Sequence, residues 1–363
     1  MTFFSKFTLA ILPALMLSGC SNLPTESATP TPAAFTACLV ASASGLTDGG
    51  VNESAYSAIK EAVVSLGIAK QQTVLHEKSG PNSIYKSVNL MVRRGCNVVI
   101  ATGDKVRSAV VKVARANPDI AFVLVDDAVP SEVAHPLANN LKHLTFDAGQ
   151  SAILAGYLAA ANSKTGLVAT FGSYDTPAVR ASMQGFAEGV QLFNNDADTD
   201  VVVLGAPGVA SEWKFLGTAT DQRAAKSATA AFLADGADVI YPVAGAAGVG
   251  AGLATVGKAD AFVIGCDRDW FMDTDNLAWR SHVLASTVKQ VSRPVLEAIR
   301  LFVDNQKVGD PLSNEFAGTL ANGGVSLTAE RAVAFSPLFT SARSNLISGI
   351  NSGEIPTPKG LTK

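Results

Sequence analysis

Alternating strand-like and helix-like segments constrain the fold of this chain more than any other sequence feature. Short runs rich in β-branched residues recur along most of the chain, and helix-like stretches separate most of them. This order favours parallel sheets covered on both faces by helices, with ligands bound beyond the carboxyl ends of the strands. We predict strands at 34–43, 73–76, 98–101, 121–125, 165–171, 201–204, 239–243, 261–265 and 283–286, and a helix at about 52–66.

Residues 1–19 have the layout of a signal peptide. Lys6 precedes the apolar run 7–17, and two small residues stand directly before Cys20. The run is shorter than the roughly twenty apolar residues that span a bilayer. Residues 17–20, Leu-Ser-Gly-Cys, resemble a bacterial lipobox, which implies acyl chains such as palmitate on Cys20 and an anchor on the extracytoplasmic face of the cell membrane. An ordinary secretory signal with an incidental cysteine is the alternative.

Residues 20–34 comprise the lipidated Cys20 and a segment rich in Ser, Thr, Pro and Ala. This segment has almost nothing to bury, and we interpret it as a flexible tether. The roughly 330 residues that follow suggest two domains on length alone. A composition of 48% hydrophobic and 16% charged residues can fill sizeable cores. The formal charge is -3 without a basic cluster, which argues against a nucleic acid partner.

Three cysteines lie beyond the tether, at Cys38, Cys96 and Cys266. Each of them sits in or beside apolar, strand-like sequence. An odd number of cysteines cannot form a disulfide framework that uses all of them. We therefore favour buried free thiols over disulfides.

Several stretches of the sequence are specific in combination. Residues 236–245 read Gly-Ala-Asp-Val-Ile-Tyr-Pro-Val-Ala-Gly, and residues 48–52 read Asp-Gly-Gly-Val-Asn. Residues 155–160 read Ala-Gly-Tyr-Leu-Ala-Ala, and residues 163–166 read Ser-Lys-Thr-Gly. These stretches resemble the basic membrane lipoprotein (BMP) family, in which the last two match a central helix and turn. The resemblance covers residues from about 36 to 355.

This resemblance implies a type I periplasmic-binding-protein fold, in which two α/β lobes enclose a ligand. We assign residues 35–147 plus about 266–310 to lobe 1, and residues 148–265 plus about 311–363 to lobe 2. Characterised family members bind purine nucleosides for an ABC importer. The resemblance therefore implies a monomeric substrate-binding protein whose partners are a purine nucleoside and an ABC permease.

The same resemblance points to groups that would bind a nucleoside base. Tyr56 and Tyr241 align with two stacking aromatics, one from each lobe, although core packing is the alternative for either tyrosine. Asn52 and Asp126 correspond to groups that read the base edge, where an amide offers donor and acceptor and a carboxylate accepts. Capping of the following helix is the alternative for Asn52. Of the adjacent pair Asp126 and Asp127, we expect Asp126 to face the cleft.

Other residues would border the ribose. Asp267 and Lys289 follow apolar, strand-like runs, and in the family the equivalent pair holds the ribose hydroxyls. A structural salt bridge is the alternative for this pair. Asp48 would border the cleft from the first loop, or would serve only as a turn residue. Gly245 opens a helix after a strand, which suits backbone approach to a neutral ligand or a simple tight turn.

Two departures from the family pattern bear on the identity of the ligand. Ala246 stands where the family often has a second glycine after Gly245, and the segment 206–216 is expanded. A sugar or autoinducer-type ligand is the alternative within the binding class. The broader fold serves sugars, and stacking aromatics also suit pyranose faces.

Sequence signals for catalysis are weak. No G-x-S-x-G motif occurs, and the histidines lack metal-ligand spacing, so we expect no metal, cofactor or catalytic residue. A nucleoside hydrolase that uses Asp48, Asp126 or Asp267 is the enzymatic alternative. Capture of a ligand without turnover needs no more than the same groups. The four histidines are His76, His135, His143 and His282.

Overall fold

A computed structural model of the protein describes residues 35–75, 79–126, 140–208, 212–273, 277–304 and 315–358. The signal peptide, Cys20 and the tether predicted for residues 1–34 lie outside the described ranges, and so does Asp127. Within those ranges, no helix is both long enough and apolar enough to cross a membrane.

The first sheet has six parallel strands in the order β11-β5-β4-β3-β1-β2. Its central strands are fully buried, as expected for a parallel sheet that is covered on both faces. Helices on its two faces complete lobe 1. The strands are β1 (Thr36–Ala41), β2 (Ala69–Val74), β3 (Val98–Thr102), β4 (Ala121–Val125), β5 (Leu141–Phe146) and β11 (Glu315–Gly318).

The second sheet also has six strands, in the order β12-β10-β9-β8-β6-β7. Its pairs are parallel except that β12 runs antiparallel to β10. This sheet and its helices form lobe 2. The strands are β6 (Leu167–Gly172), β7 (Val202–Leu204), β8 (Val239–Val243), β9 (Phe262–Gly265), β10 (Val283–Lys289) and β12 (Val325–Leu327).

Helices cover both faces of each sheet and bury four apolar clusters against them. In lobe 1, α1 and α8 pack on one face of the sheet, and α2 and α3 pack on the other. In lobe 2, α4, α5 and α9 cover one face, and α6 and α7 cover the other. The helices are α1 (Val51–Leu66), α2 (Pro81–Arg93), α3 (Arg107–Ala116), α4 (Ala148–Asn162), α5 (Pro177–Ala197), α6 (Gln222–Ala234), α7 (Val249–Thr255), α8 (Ser292–Val303) and α9 (Pro337–Ser352).

The layered α/β fold predicted from the alternating pattern is confirmed, but the predicted lobe boundaries need correction. Strand β10 pairs with β9, so residues 266–289 belong to lobe 2 and not to lobe 1. The chain returns to lobe 1 only at α8, and β11 keeps it there until Gly318. A buried apolar strand has the same sequence pattern in either sheet, so its pairing partner is set by tertiary contacts.

The cysteines also differ from expectation. Cys38 on β1 and Cys96 just before β3 form a disulfide, with Cα atoms 6.0 Å apart. Cys266 is a buried free thiol, as predicted. The prediction of free thiols was wrong for the first two because β1 and β3 lie side by side in the sheet, although the cysteines are 58 residues apart in sequence.

Candidate functional site

The carboxyl ends of strands from both sheets border one cavity of about 220 Å³. Loops after β1, β2, β3 and β4, together with the start of α2, supply its lobe 1 wall. Loops after β6, β7, β8 and β9, together with the end of β10, supply its lobe 2 wall. This is where a doubly wound sheet offers a ligand its side chains. The lining includes six of the eight site residues predicted from the sequence: Asp48, Asn52, Asp126, Gly245, Asp267 and Lys289.

An ion-pair cluster of three residues spans the two lobes inside this cavity. Lys289, the last residue of β10, donates a hydrogen bond from Nζ to Asp126 Oδ2 at 2.9 Å. The same Nζ lies 3.2 Å from Asp267 Oδ1. Asp126 belongs to lobe 1, whereas Asp267 and Lys289 belong to lobe 2. The cluster therefore joins the two walls of the cavity through one ammonium group.

The charge of Lys289 is stabilised where it lies. Its side chain is only 10% exposed, and this burial by itself lowers the lysine pKa. Attraction to Asp126 and Asp267 outweighs burial, so the pKa of Lys289 is raised above its ordinary value. The ammonium thus stays charged throughout the neutral pH range and can donate hydrogen bonds to a ligand.

Both acidic partners of Lys289 adopt an uncommon backbone conformation. Asp126 and Asp267 have φ of 57° and 71°, in the left-handed region. The residues lie just beyond the ends of β4 and β9, at equivalent places in the two lobes. Residues other than glycine with such φ values concentrate at functional sites, and aspartate tolerates the region better than most. The backbone is therefore bent at both points where a carboxylate meets Lys289.

Asp48 has two roles in the structure. Its Oδ1 accepts hydrogen bonds from the backbone N–H groups of Gly50, at 2.9 Å, and Glu53, at 3.1 Å, and so fixes the start of α1. Burial raises the pKa of Asp48, the hydrogen bonds to these N–H groups oppose the rise, and the charge of Asp267 adds to it. Asp48 is thus a turn residue that also borders the cavity.

Asn52 lines the cavity but is 1% exposed, and its amide group is already bonded within lobe 1. The Nδ2 group donates to the Gly45 carbonyl at 2.9 Å, and Oδ1 accepts from the Ser42 N–H at 3.2 Å. The Thr102 hydroxyl also donates to Oδ1. Capping of α1 by Asn52 is ruled out, because Asn52 is the second residue of the helix and the N-cap residue is Gly50. Asn52 ties the first loop to the end of β3.

Gly245 brings the backbone of lobe 2 close to lobe 1. It begins a 3-10 turn after β8 with φ of 57°, which glycine adopts without strain. A Cβ at this position would lie 3.5 Å from the Ala219 carbonyl oxygen and 3.9 Å from Ser44 Oγ of lobe 1. Its place in the cavity lining agrees with backbone approach to a ligand.

The two tyrosines that were predicted to stack on a ligand do not line the cavity. Tyr241 on β8 is fully buried, its ring is stacked on Phe186 with centroids 5.1 Å apart, and its hydroxyl lies 3.0 Å from Thr287 Oγ1. Tyr56 on α1 accepts a hydrogen bond from Lys70 Nζ at 2.9 Å. Strand alternation turns the Tyr241 side chain into the core of lobe 2, which corresponds to the core-packing alternative.

Sequence reasoning missed Tyr174 and Lys105. Tyr174 follows β6 and is the one aromatic residue in the lining that the structure describes. Lys105 follows β3 in lobe 1, and its Nζ lies 5.2 Å from the centroid of the Tyr174 ring. The signal that could have revealed both is position alone, because each lies in the loop that follows a predicted strand.

A second contact between the lobes lies outside the cavity lining. The Arg268 guanidinium, from the loop after β9, lies against Gly49 of lobe 1, where a Cβ on Gly49 would coincide with it. Its Nη1 is 3.7 Å from Glu53 Oε2 on α1, and its Nη2 donates to Asp273. Gly49 has φ of 63°, so its backbone conformation also favours glycine.

No group of three or more His, Cys, Asp or Glu side chains in the described part of the chain could hold a metal ion. The acidic residues of the cavity are instead paired with Lys289 or bonded to backbone N–H groups. The site therefore offers fixed charges and hydrogen-bond partners to a ligand.

Comparison with solved structures shows the class of the fold. An ABC transporter system solute-binding protein from Aeropyrum pernix K1 aligns with 90% of this chain and 83% of its own, with a TM-score of 0.68 and 22% identity. A solute-binding protein of the same kind from Conexibacter woesei DSM 14684 aligns with 91% of this chain and 100% of its own, with a TM-score of 0.66 and 20% identity. The fold is that of the type I periplasmic solute-binding proteins.

Sequence comparison identifies the family. The family model Bmp, ABC transporter substrate-binding protein PnrA-like, matches residues 35–330. The chain therefore belongs to this family of substrate-binding proteins of ABC transporters. Basic membrane protein A of Borreliella burgdorferi is 27% identical over 71% of this chain and 68% of its own length. The ABC transporter nucleoside-binding protein BmpA of Lactococcus lactis is 26% identical over 86% and 87% of the two chains.

Proposed function

We propose that this protein captures a purine nucleoside between its lobes and delivers it unchanged to an ABC permease. Family membership establishes the substrate-binding class, and the name of the Lactococcus lactis relative supports a nucleoside ligand. The observation that carries the proposal is the bridge from Lys289 to Asp126 and Asp267 across the cavity. Vicinal ribose hydroxyls can donate to the carboxylates and accept from the ammonium.

The charge of the cavity favours a neutral ligand. Asp48, Asp126 and Asp267 stand against Lys289 at one end of the lining, so carboxylates outnumber ammonium groups there. Such an excess attracts hydrogen-bond donors and repels phosphate groups. We therefore propose a nucleoside and not a nucleotide.

The arrangement of the carboxylates supports capture without turnover. Hydrolysis of a glycosidic bond uses one carboxyl group as an acid and another as a base or nucleophile. Asp126 and Asp267 both pair with Lys289, and Asp48 Oδ1 accepts hydrogen bonds from two backbone N–H groups. All three carboxyl groups are thus already engaged by partners within the protein.

Titration calorimetry of the purified full chain in mild detergent tests the ligand. We expect binding of inosine, guanosine and adenosine, and no binding of ribose or galactose. Binding of a sugar without any nucleoside would refute the proposal. Chromatography of the bound nucleoside tests turnover, since release of free base at a protein-dependent rate would favour the hydrolase.

We also propose that Cys20 carries the lipid anchor and that residues 21–34 tether a monomer beside its permease. This part rests on the sequence of the N-terminus. Cys20→Ala should abolish labelling with radioactive palmitate and release the protein from the membrane fraction. Retention of the label in that variant would contradict the anchor, and failure to co-purify a permease would contradict the import role.

A further inference from the structure

Tyr174 and Lys105 mark one end of the cavity, and the ion-pair cluster marks the other. In the second sheet, the strand before Tyr174 and the strand that carries Lys289 are separated by three strand spacings, because β10, β9, β8 and β6 are successive neighbours. At about 4.8 Å per spacing, these two strands of lobe 2 are about 14 Å apart. An extended purine nucleoside has a comparable length, so ribose bound at Lys289 would direct its base toward Tyr174.

The two ends differ in charge. The three acidic residues of the lining described above lie at the Lys289 end, whereas no described carboxylate is within salt-bridge distance of Lys105. The Lys105 ammonium instead lies over the Tyr174 ring, at 5.2 Å from its centroid. Cation–π attraction holds an ammonium at such a distance while leaving its N–H groups able to donate elsewhere. Lys105 is therefore a donor held at the far end of the cavity.

The pair is also formed across the lobes. Lys105 belongs to a 3-10 turn after β3 of lobe 1, and Tyr174 belongs to the loop between β6 and α5 of lobe 2. The Thr176 N–H donates to the Tyr174 carbonyl at 3.0 Å, which fixes the backbone at this point. A base at this end would thus contact one group from each lobe.

We propose that Lys105 and Tyr174 form the base-recognition end of the cavity and select 6-oxopurine nucleosides over adenosine. This inference rests on the proposed function. Hypoxanthine and guanine present two adjacent acceptors, O6 and N7, whereas adenine presents N7 beside an N6 amine. An ammonium has donors and no acceptor, so Lys105 can satisfy O6 and N7 but cannot accept from the amine. The Tyr174 ring positions the ammonium and adds apolar surface for the base.

Calorimetric titration of the full chain with inosine, guanosine, adenosine and purine riboside, which lacks a 6-substituent, tests this assignment. We expect the two 6-oxopurine nucleosides to bind about tenfold more tightly than the other two ligands. Lys105→Met should remove that difference by weakening inosine and guanosine. Lys60→Met is the matched control, because Lys60 Nζ lies 5.2 Å from the Tyr56 centroid, outside the cavity lining, and it should leave all affinities unchanged.

Tyrosine variants separate the ring from its hydroxyl. Tyr174→Phe keeps the ring and should keep the preference for inosine, whereas Tyr174→Leu should weaken every purine nucleoside and reduce the preference. Tyr85→Leu is the control, since Lys112 lies over the Tyr85 ring at 4.8 Å from its centroid and neither residue lines the cavity.

The outcomes distinguish this inference from the function on which it rests. Absence of binding by any nucleoside in the wild type would overturn both. Equal affinities for inosine and adenosine in the wild type would overturn the base-recognition assignment alone. A preference that survives in Lys105→Met, with an unchanged melting temperature, would do the same.

Discussion

Replacing Lys289 by methionine removes the ammonium that joins the two lobes and leaves Asp126 and Asp267 facing each other. The three side chains are only 10%, 16% and 18% exposed, so the site is close to buried. Removal of one partner from a buried ion pair costs about 3–5 kcal/mol, because it leaves a charge uncompensated. Partial exposure moves the expected loss in the free energy of unfolding to the lower end, at about 3 kcal/mol. Nucleoside affinity should fall about a hundredfold, since a charged donor is lost.

The loss of stability in Lys289→Met should also depend on pH. The pKa of Lys289 is raised in the folded protein, so its stabilising contribution is complete below the unfolded lysine value of about 10.4 and disappears only as the pH rises through the higher folded value. In Lys289→Met, one of the two facing carboxylates is expected to take up a proton at mildly acidic pH. The folded variant then binds more protons than the unfolded chain, so its stability deficit should shrink as the pH falls.

Urea denaturation at about pH 8 and about pH 5.5 measures both effects. Lys164→Met is the matched control, because Lys164 Nζ lies 2.7 Å from Asp260 Oδ1 while both side chains are largely exposed. Screening by solvent makes such a surface pair contribute little, so we expect almost no change in this variant. If Lys289→Met is as stable as Lys164→Met at the higher pH, the ion-pair cluster is not the coupling between the lobes that the geometry indicates.

Three further changes test other parts of the structure. Replacing Cys38 and its disulfide partner by serine should lower the free energy of unfolding by about 2–5 kcal/mol, as measured by urea denaturation, because the bridge closes a long loop of the unfolded chain. Tyr241→Ala should cost about 3–5 kcal/mol of stability and lower the melting temperature, since the ring is fully buried. Gly49→Ala should weaken nucleoside binding about tenfold in calorimetry, because a Cβ there displaces Arg268 and holds the lobes apart. Gly45→Ala, with φ of 88° and open space around its Cβ, carries the backbone strain without the clash and should leave affinity nearly unchanged.

Each of these three predictions would be contradicted by a specific outcome. Serine variants as stable as the wild type under oxidising conditions would show that the disulfide contributes nothing. A Tyr241→Ala protein with an unchanged melting temperature and weaker ligand binding would indicate that the ring contacts the ligand and does not pack in the core. Equal effects of Gly49→Ala and Gly45→Ala on affinity would remove any role for the Arg268 contact.

Sequence reasoning located the strands that the sheets bury completely. The bounds 121–125 and 239–243 agree with β4 and β8, whose residues are all buried and therefore strongly apolar. It missed β5, β11 and β12, and displaced β2. Edge strands and strands with polar residues, such as the Leu-Lys-His-Leu-Thr-Phe of β5, lack the continuous apolar run that marks a buried parallel strand.

For the cavity, residues that follow strands were easier to place than residues within elements. Asp126, Asp267 and Lys289 come at or just beyond strand ends, and the topology of parallel sheets brings such ends to one edge. Tyr241 lies inside β8 and Tyr56 inside α1, where the orientation of a side chain depends on which face the neighbours cover. Family resemblance placed the aromatic positions without that information, and Tyr174 was overlooked.

The sequence by itself determined that this chain alternates strands and helices, because buried parallel strands need continuous apolar runs and their connections need helical periodicity. It also determined which charged residues stand at the ends of those strands. Only the tertiary structure decided that Cys38 meets Cys96, that β10 joins the second sheet, and that one ammonium on Lys289 serves carboxylates from both lobes. Such pairings are contacts between segments distant in sequence, and no local pattern encodes them.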